Sequence, residues 1–436
     1  MAEIRPFRAL RFTEAAGPLS EVVCPPYDII SEEQRHGYLA RNPNNIIRLE
    51  LPREGADPYA AAGEVLNRML AEGILAQDTA PALYIYEIEF LLDGMSDISA
   101  MYGGSYSVYG LVAQVHLEEF DKGIVLPHEE TLSKAKEDRL NLMKATACNF
   151  SDVYALYNDG EDEGSVDDLL AIAMQEQPVA VLTDDAGLTH RLWALTDADL
   201  IAAIQARFAD TKLYIADGHH RYETALNYRN WLREQGTPVG APSDYMMMML
   251  VEMNHPGLVV FPTHRLLRDL PDFDATALLD ACRDRFDIEE DLPLSAVDER
   301  LEHAYLNGQR AFGFYAGGDT VAVLTLRDVT VMDAVLPTLS AASRRLDVNV
   351  LHTLILEQKL GIDKANMAQQ INLTYTRSLT EAIDSVRSGA YQAAFLLNPT
   401  RVSEIRDVAA AGEKMPQKST YFYPKLITGL TVNRLK

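Results

Sequence analysis

The sequence predicts an α/β protein of mixed α+β character: a mixed sheet, then a second α/β domain. Two observations predict it. Apolar runs of strand length alternate with amphipathic runs of helix length along most of the 436 residues. A polar, Pro-containing stretch at Arg268–Asp274 separates two such series, so the boundary falls near residue 268, with regions 1–268 and 269–436.

In chain order, Cys24-Pro25-Pro26-Tyr27-Asp28 reads as a rigid extended loop that holds Asp28 in place, as a ligand contact or a cap. Ile46–Leu51 reads as a strand, with Arg48 and Glu50 on one face as an ion pair or a substrate contact. Tyr59–Leu75 reads as a helix opened by Asp57-Pro58. Ala82–Phe90 and Tyr106–Leu117 are strands, with Leu92-Asp93-Gly94 as a hairpin turn before the second. Ser133–Ala147 is a helix and Val153–Tyr157 a strand, followed by an acidic loop at Asn158–Ser165. Lys212–Ile215 is a buried strand, and Tyr222–Gln235 a helix with apolar residues at helical spacing. After a Gly- and Pro-rich loop at Gly236–Ser243, the Met-rich run from Tyr245 to Val251 is a core strand. Beyond Asp274, Ala275–Arg285 and Leu294–Leu306 are helical, and Ala311–Tyr315 with Thr320–Leu326 forms a hairpin turned by Gly317-Gly318.

A net charge of −25 repels polyanions, so a nucleic-acid partner is disfavoured. Three widely spaced cysteines make no Cys-x-x-Cys pair and suit a reducing cytoplasm. The N-terminus carries no basic segment followed by an apolar one, and no apolar run approaches a membrane span. A homo-oligomer stays open.

The most informative stretch is Asp217-Gly218-His219-His220-Arg221. It joins a strand to a helix. Gly218 lets backbone N–H groups approach a ligand, the helix start offers a positive dipole end, and Arg221 supplies a fork suited to phosphate. The combination predicts an anion site, most specifically for phosphate. The plainer reading is a polar turn in which Asp217 caps the helix.

A second junction holds His128-Glu129-Glu130, with Lys136 and Arg139 three apart on the following helix. Its plainer reading is a solvated helix start capped by Thr131 or Ser133. Thr263-His264-Arg265 is placed at the exit of an apolar strand, where His264 and Arg265 become substrate candidates. Lys414 to Lys425 gathers three lysines with hydroxyls and aromatics, as a phosphate-reaching segment or a structured tail. The P-loop pattern, Gly-x-Gly-x-x-Gly and His-Glu-x-x-His are all absent.

Cys24-Pro-Pro-Tyr-Asp28, His128-Glu129 with Lys136-Glu-Asp-Arg139, Ala216-Asp-Gly-His-His-Arg-Tyr-Glu-Thr-Ala225 and Lys414–Lys425 together resemble a prokaryotic domain-of-unknown-function family, DUF1015. That resemblance spans almost the entire chain and implies no activity. Asp217–Arg221 is also similar to the Gly-x-His-Arg phosphate loop of the ParB/sulfiredoxin superfamily, which includes free-serine kinases. This second resemblance implies that Gly218, His219, His220 and Arg221 hold nucleotide phosphates.

The expected function is therefore a phosphotransferase acting on a small polar metabolite, in its sharpest form a free-serine kinase using ATP or ADP with Mg²⁺. Glu129 is the candidate base, with Glu130, Asp28 and Glu50 as the next acids. His219 or His220 donates to a phosphate oxygen. Asp217 is the candidate metal ligand, and Lys136 and Arg139 bind nucleotide or substrate. A hydrolase of a phosphorylated metabolite and a nucleotide-binding regulator without turnover are the alternatives.

Overall fold

The computed structural model describes residues 2–92, 104–129, 133–160, 164–416 and 418–436. The expected turn at Asp93-Gly94, Glu130, the Thr131 cap and residues 161–163 of the acidic loop lie outside the described residues.

A nine-stranded mixed sheet forms the first half. From one edge its strands are Val125–Leu126, Leu213–Asp217, Val153–Tyr157, Tyr245–Glu252, Ser105–His116, Leu83–Leu91, Thr189–Leu195 and Ala180–Thr183. Ile4–Arg5 pairs with Ser105–His116 off this path. Leu213–Asp217 runs parallel to Val125–Leu126, and Tyr245–Glu252 parallel to Val153–Tyr157, while the other pairs are antiparallel. The methionine run explains how such a sheet is buried on both sides. Met246, Met248 and Leu250 pack on one face with the helices Ala198–Phe208 and His219–Glu234. Met247, Met249 and Val251 face the opposite core, which continues into the second half.

The second half carries a six-stranded antiparallel sheet in the order Phe286–Pro293, Thr320–Leu326, Ala311–Tyr315, Ala393–Leu396, His264–Leu267 and Leu373–Thr376. Its central hairpin turns through Gly317 and Gly318, both at positive φ, as a tight turn requires. The chain then returns to the first half. Tyr421–Tyr423 pairs with Val259–Phe261, and Asn433–Arg434 with Cys148–Asn149. Residues 418–434 are thereby tied back to the first half, and Lys418, Thr420 and Lys425 reach the site. No helix among the described residues is long and apolar enough to cross a membrane.

Two expectations are corrected. The Ile46–Leu51 segment is not a strand; Ile47–Glu50 is a short helix. Asn45 turns the chain into it: its side-chain oxygen accepts from the Ile47 N–H at 2.9 Å, while its amide donates to the carbonyls of Glu21 and Val23. Alternating apolar residues fit a strand equally well, and this local side-chain to backbone hydrogen bonding decides against it. Second, Thr263, His264 and Arg265 do not close a strand. Pro262 interrupts after Phe261, and His264 and Arg265 open the next strand, in the six-stranded sheet.

Candidate functional site

The site begins where the Leu213–Asp217 strand leaves the sheet. Ile215 pairs with Ala155 but Asp217 pairs with Tyr154, so the strand carries one extra residue there. Such a bulge breaks the alternation of side chains and re-aims the next one, here Asp217. Gly218 follows at φ +90°, and a Cβ on it would meet the Arg221 guanidinium at 2.9–3.0 Å. Only glycine satisfies both constraints. The helix starts at His219, three residues earlier than its apolar periodicity predicts, and Gly218 caps it without any side-chain hydrogen bond. Tyr222 donates to the Gly218 carbonyl at 3.0 Å, so His219, His220 and Arg221 form a first turn at the positive end of the helix.

Asp217 holds two cations. Arg221 Nη2 donates to Oδ2 at 2.8 Å and Lys425 Nζ to Oδ1 at 2.9 Å. Burial pushes the Asp217 carboxyl up, but Lys425 and Arg221 outweigh it and hold the group well below the usual carboxylate range. The Arg221 Nη1 also donates to the Asp152 carbonyl. Two cations thus converge on one carboxylate in a strongly acidic chain.

The two strand-exit segments meet here. The His128 and His219 rings lie 4.6 Å apart at 79°. Nδ1 of His128 lies 2.6 Å from the Ile215 carbonyl and must donate to it. Its Nε2 is then an acceptor, 3.0 Å from the Thr420 hydroxyl. The His128 N–H donates to Nε2 of His219 at 3.2 Å. Burial lowers His128 to about 4 and His219 well below its ordinary value, so both rings are neutral at neutral pH. Burial also lowers His220, against the pull of Glu129 and Glu223.

Glu129 accepts from the Lys418 N–H at 2.9 Å, and its backbone bridges Met415. Burial raises its pKa, partly offset by that N–H and by Lys418. A carboxylate shifted toward neutrality and held by one donor suits proton acceptance.

The flank is built of engaged cations. Lys136 donates to Glu223 at 2.6 Å. Arg139 donates to the Glu50 carbonyl at 2.6 Å and to Asp138 at 2.5 Å, with its guanidinium 4.1 Å from the Tyr27 ring centroid. Glu50 is buried, accepts from Ser151 at 2.8 Å, and lies 3.7 Å from Arg139. A cavity of about 30 Å³ between Glu50, Arg139, Ser151 and Arg221 has room for a water molecule or two. Asp28 is exposed, close enough for its charge to act on Arg221 and His220.

The remaining predicted residues lie outside this cluster. Arg48 donates to the Pro43 carbonyl at 2.9 Å and lies 3.9 Å from Glu54, not beside Glu50. His264 accepts from the Leu397 N–H at 3.2 Å. Arg265 is fully buried, with Nη2 3.4 Å from the Lys418 carbonyl, so it touches the 415–425 segment from the far side.

Three residues of the site were not singled out from the sequence: Lys425, Glu223 and Asp152. Lys425 stood within the lysine-bearing tail, which was the available signal. Asp152 gave none beyond standing before a strand. Its Oδ1 is buried without a hydrogen-bond partner among the described residues, and burial raises its pKa to about 7.

Among the described residues no three His, Cys, Asp or Glu side chains are grouped to hold a metal ion. Both Asp217 oxygens already accept from cations, which makes Asp217 a poor ligand for a dication. Two cations and a helix start, by contrast, converge on Asp217.

No curated protein matches the sequence. Several solved structures are similar at low level, among them the following. A conserved hypothetical protein from Pyrococcus furiosus is 13% identical, with 72% of this chain and 94% of that chain covered, at a TM-score of 0.34. A free serine kinase in complex with AMP is 12% identical, covering 72% and 90%, at 0.34. SbnI with a C-terminal truncation, from Staphylococcus aureus, is 11% identical, covering 74% and 87%, at 0.35. Scores this low carry no residue roles across. The family described as "Protein of unknown function (DUF1015)" matches residues 4–349, and the chain belongs to it.

Proposed function

We propose that the chain is a phosphotransferase that binds ATP or ADP and transfers a phosphoryl group to a small hydroxyl compound, in the sharpest version free serine. The observation that supports this most is the pair of cations on Asp217 at the start of a helix with no side-chain cap, beside the half-buried Glu129 carboxylate and two neutral imidazoles. Phosphoryl transfer depends on positioning and charge neutralisation, and this cluster offers both.

In this reading Arg221, Lys425 and the first-turn amides hold the phosphates. His219 and His220, neutral, donate hydrogen bonds to phosphate oxygens. The acceptor oxygen bonds to phosphorus as the bond from phosphorus to the leaving nucleotide oxygen breaks, and the acceptor proton passes to Glu129. Lys136 and Arg139, already paired, serve as a polar wall.

The test is incubation with Mg²⁺, ATP or ADP, and serine, with phosphoserine measured by mass spectrometry. Phosphoserine is expected. Inorganic phosphate without phosphoserine replaces the transferase by a hydrolase, and tight nucleotide binding without turnover replaces it by a regulator.

A further inference from the structure

Arg377 is an exposed cation that the reading above leaves unused. It follows the edge strand Leu373–Thr376 of the six-stranded sheet and precedes Ser378, the cap of the helix Leu379–Arg387. Among the described residues it makes no hydrogen bond and no ion pair. Its contact is the Tyr421 ring, with the guanidinium carbon 3.9 Å from the centroid. Contact with a ring leaves the N–H donors of an arginine for oxygen acceptors. In a strongly acidic chain, this sets Arg377 apart from the paired arginines of the flank.

The Tyr421 ring joins Arg377 to the phosphate loop. Lys425 Nζ lies 4.5 Å from the same centroid and 2.9 Å from Asp217 Oδ1. Arg221 Nη2 holds the other oxygen of that carboxylate at 2.8 Å. Arg221, Lys425 and Arg377 therefore follow one another. The first two share the Asp217 carboxylate, and the last two share the Tyr421 ring. Tyr421 is partly exposed and follows Thr420, whose hydroxyl lies 3.0 Å from His128 Nε2. Its own hydroxyl makes no hydrogen bond among the described residues. The strand before Arg377 also borders the site. Tyr375 lies two residues earlier, on the same side of the strand. Burial raises its pKa, Arg265 opposes the rise, and the Glu129 charge adds to it.

A single phosphate is served by the two cations on Asp217. A third cation in line suits a ligand whose anionic groups are also in line, and linked phosphates are such a ligand. We infer that Arg377 is a phosphate-binding residue supplied by the second half. The site then takes a chain of phosphates, as a nucleoside triphosphate or inorganic polyphosphate, whose far end lies against Arg377 and the Tyr421 hydroxyl. This rests on the phosphate-loop reading above and adds the third cation and the length of the ligand.

The experiment is calorimetric titration of the full chain, wild type, Arg377→Met and Arg377→Lys, with inorganic tripolyphosphate, ATP and orthophosphate, beside a melting curve of each protein. Arg377→Met keeps an unbranched side chain against Tyr421 and removes the charge. Arg377→Lys restores the charge. The expected result is tripolyphosphate binding weakened roughly 3- to 30-fold in Arg377→Met, the scale of one partly exposed charged hydrogen bond, with partial recovery in Arg377→Lys. Orthophosphate binding and the melting temperature should stay near wild type. Weakening of ATP as well assigns the chain to a nucleotide, and weakening of tripolyphosphate alone assigns it to inorganic polyphosphate. Both results support the row of cations, even if no phosphoserine is formed. Unchanged tripolyphosphate affinity in Arg377→Met overturns it, and leaves the loop standing if Arg221→Ala still weakens that affinity. Equal weakening of orthophosphate and tripolyphosphate with a lower melting temperature also overturns it, because a clamp between the two halves gives that pattern. A wild type that binds no tripolyphosphate overturns it as well.

Discussion

Lys425 and Asp217, 208 positions apart in the chain, are joined by a 2.9 Å hydrogen bond between opposite charges. The C-terminal segment thereby completes a cluster whose other members come from the nine-stranded sheet and from the helix that follows Asp217. Arg221 alone would neutralise Asp217. Lys425 adds a second cation to the same carboxylate, and the proposed phosphate role rests on that pair.

The same contact sets a pH dependence. Asp217 is held below its unfolded value, so its contribution to stability is present above the ordinary carboxylate pKa and is lost as pH falls through the folded one. Lys425→Met removes part of that depression. The wild type should therefore melt above Lys425→Met at pH 7, with the gap closing below about pH 4. A gap that is constant from pH 7 to pH 3 contradicts the electrostatic origin.

Gly218→Ala places a Cβ at positive φ and against the Arg221 guanidinium. Thermal or denaturant unfolding should show a loss of about 1–3 kcal/mol, the scale of strained backbone. Phosphate binding should weaken more than stability alone explains, because Arg221 must move. A Gly218→Ala protein with wild-type stability and anion affinity contradicts the close approach.

Glu129→Gln keeps the acceptor for the Lys418 N–H but removes the proton acceptor. Turnover should fall by about 10²–10⁴-fold with nucleotide affinity little changed. Steady-state kinetics with a parallel binding titration checks this. Full activity in Glu129→Gln moves the base to Glu130, Asp28 or Glu50.

Asp152 carries the opposite linkage. Burial raises it to about 7, so its contribution is fully present below the unfolded carboxylate pKa and is lost as pH rises through 7. Asp152→Asn removes this loss. The melting temperature of Asp152→Asn relative to wild type should rise between pH 5 and pH 8. A difference that falls over that interval contradicts a buried, protonated Asp152.

How much of this was legible follows the range of the interactions. The Asp217–Arg221 loop was readable because glycine, helix start and cation are contiguous. The bulge at Ile215–Asp217 was not, because it exists only in the pairing with Tyr154. Arg48 and Glu50 were misplaced because Ile46–Leu51 alternates like a strand, while the Asn45 side chain turns the chain into a short helix. His128 and Glu129 were recognised as a junction, but their approach to His219 depends on Val125–Leu126 pairing in parallel with Leu213–Asp217. Lys425 was legible only as one lysine of the Lys414–Lys425 stretch, and Asp152 was out of reach, because their partners are remote in sequence and neither lies in a pattern with a period.

The most direct measurement of the central claim is an ADP titration of wild type and Arg221→Ala. Arg221 makes its bonds to Asp217 and to the Asp152 carbonyl at the mouth of the loop, and removing it takes one of two cations from the phosphate cradle. ADP should bind the wild type, and Arg221→Ala should weaken that binding by about 1.5–3 kcal/mol, the scale of hydrogen bonds to charged groups. Equal ADP affinity in a correctly folded Arg221→Ala protein contradicts the assignment of this loop as a phosphate site.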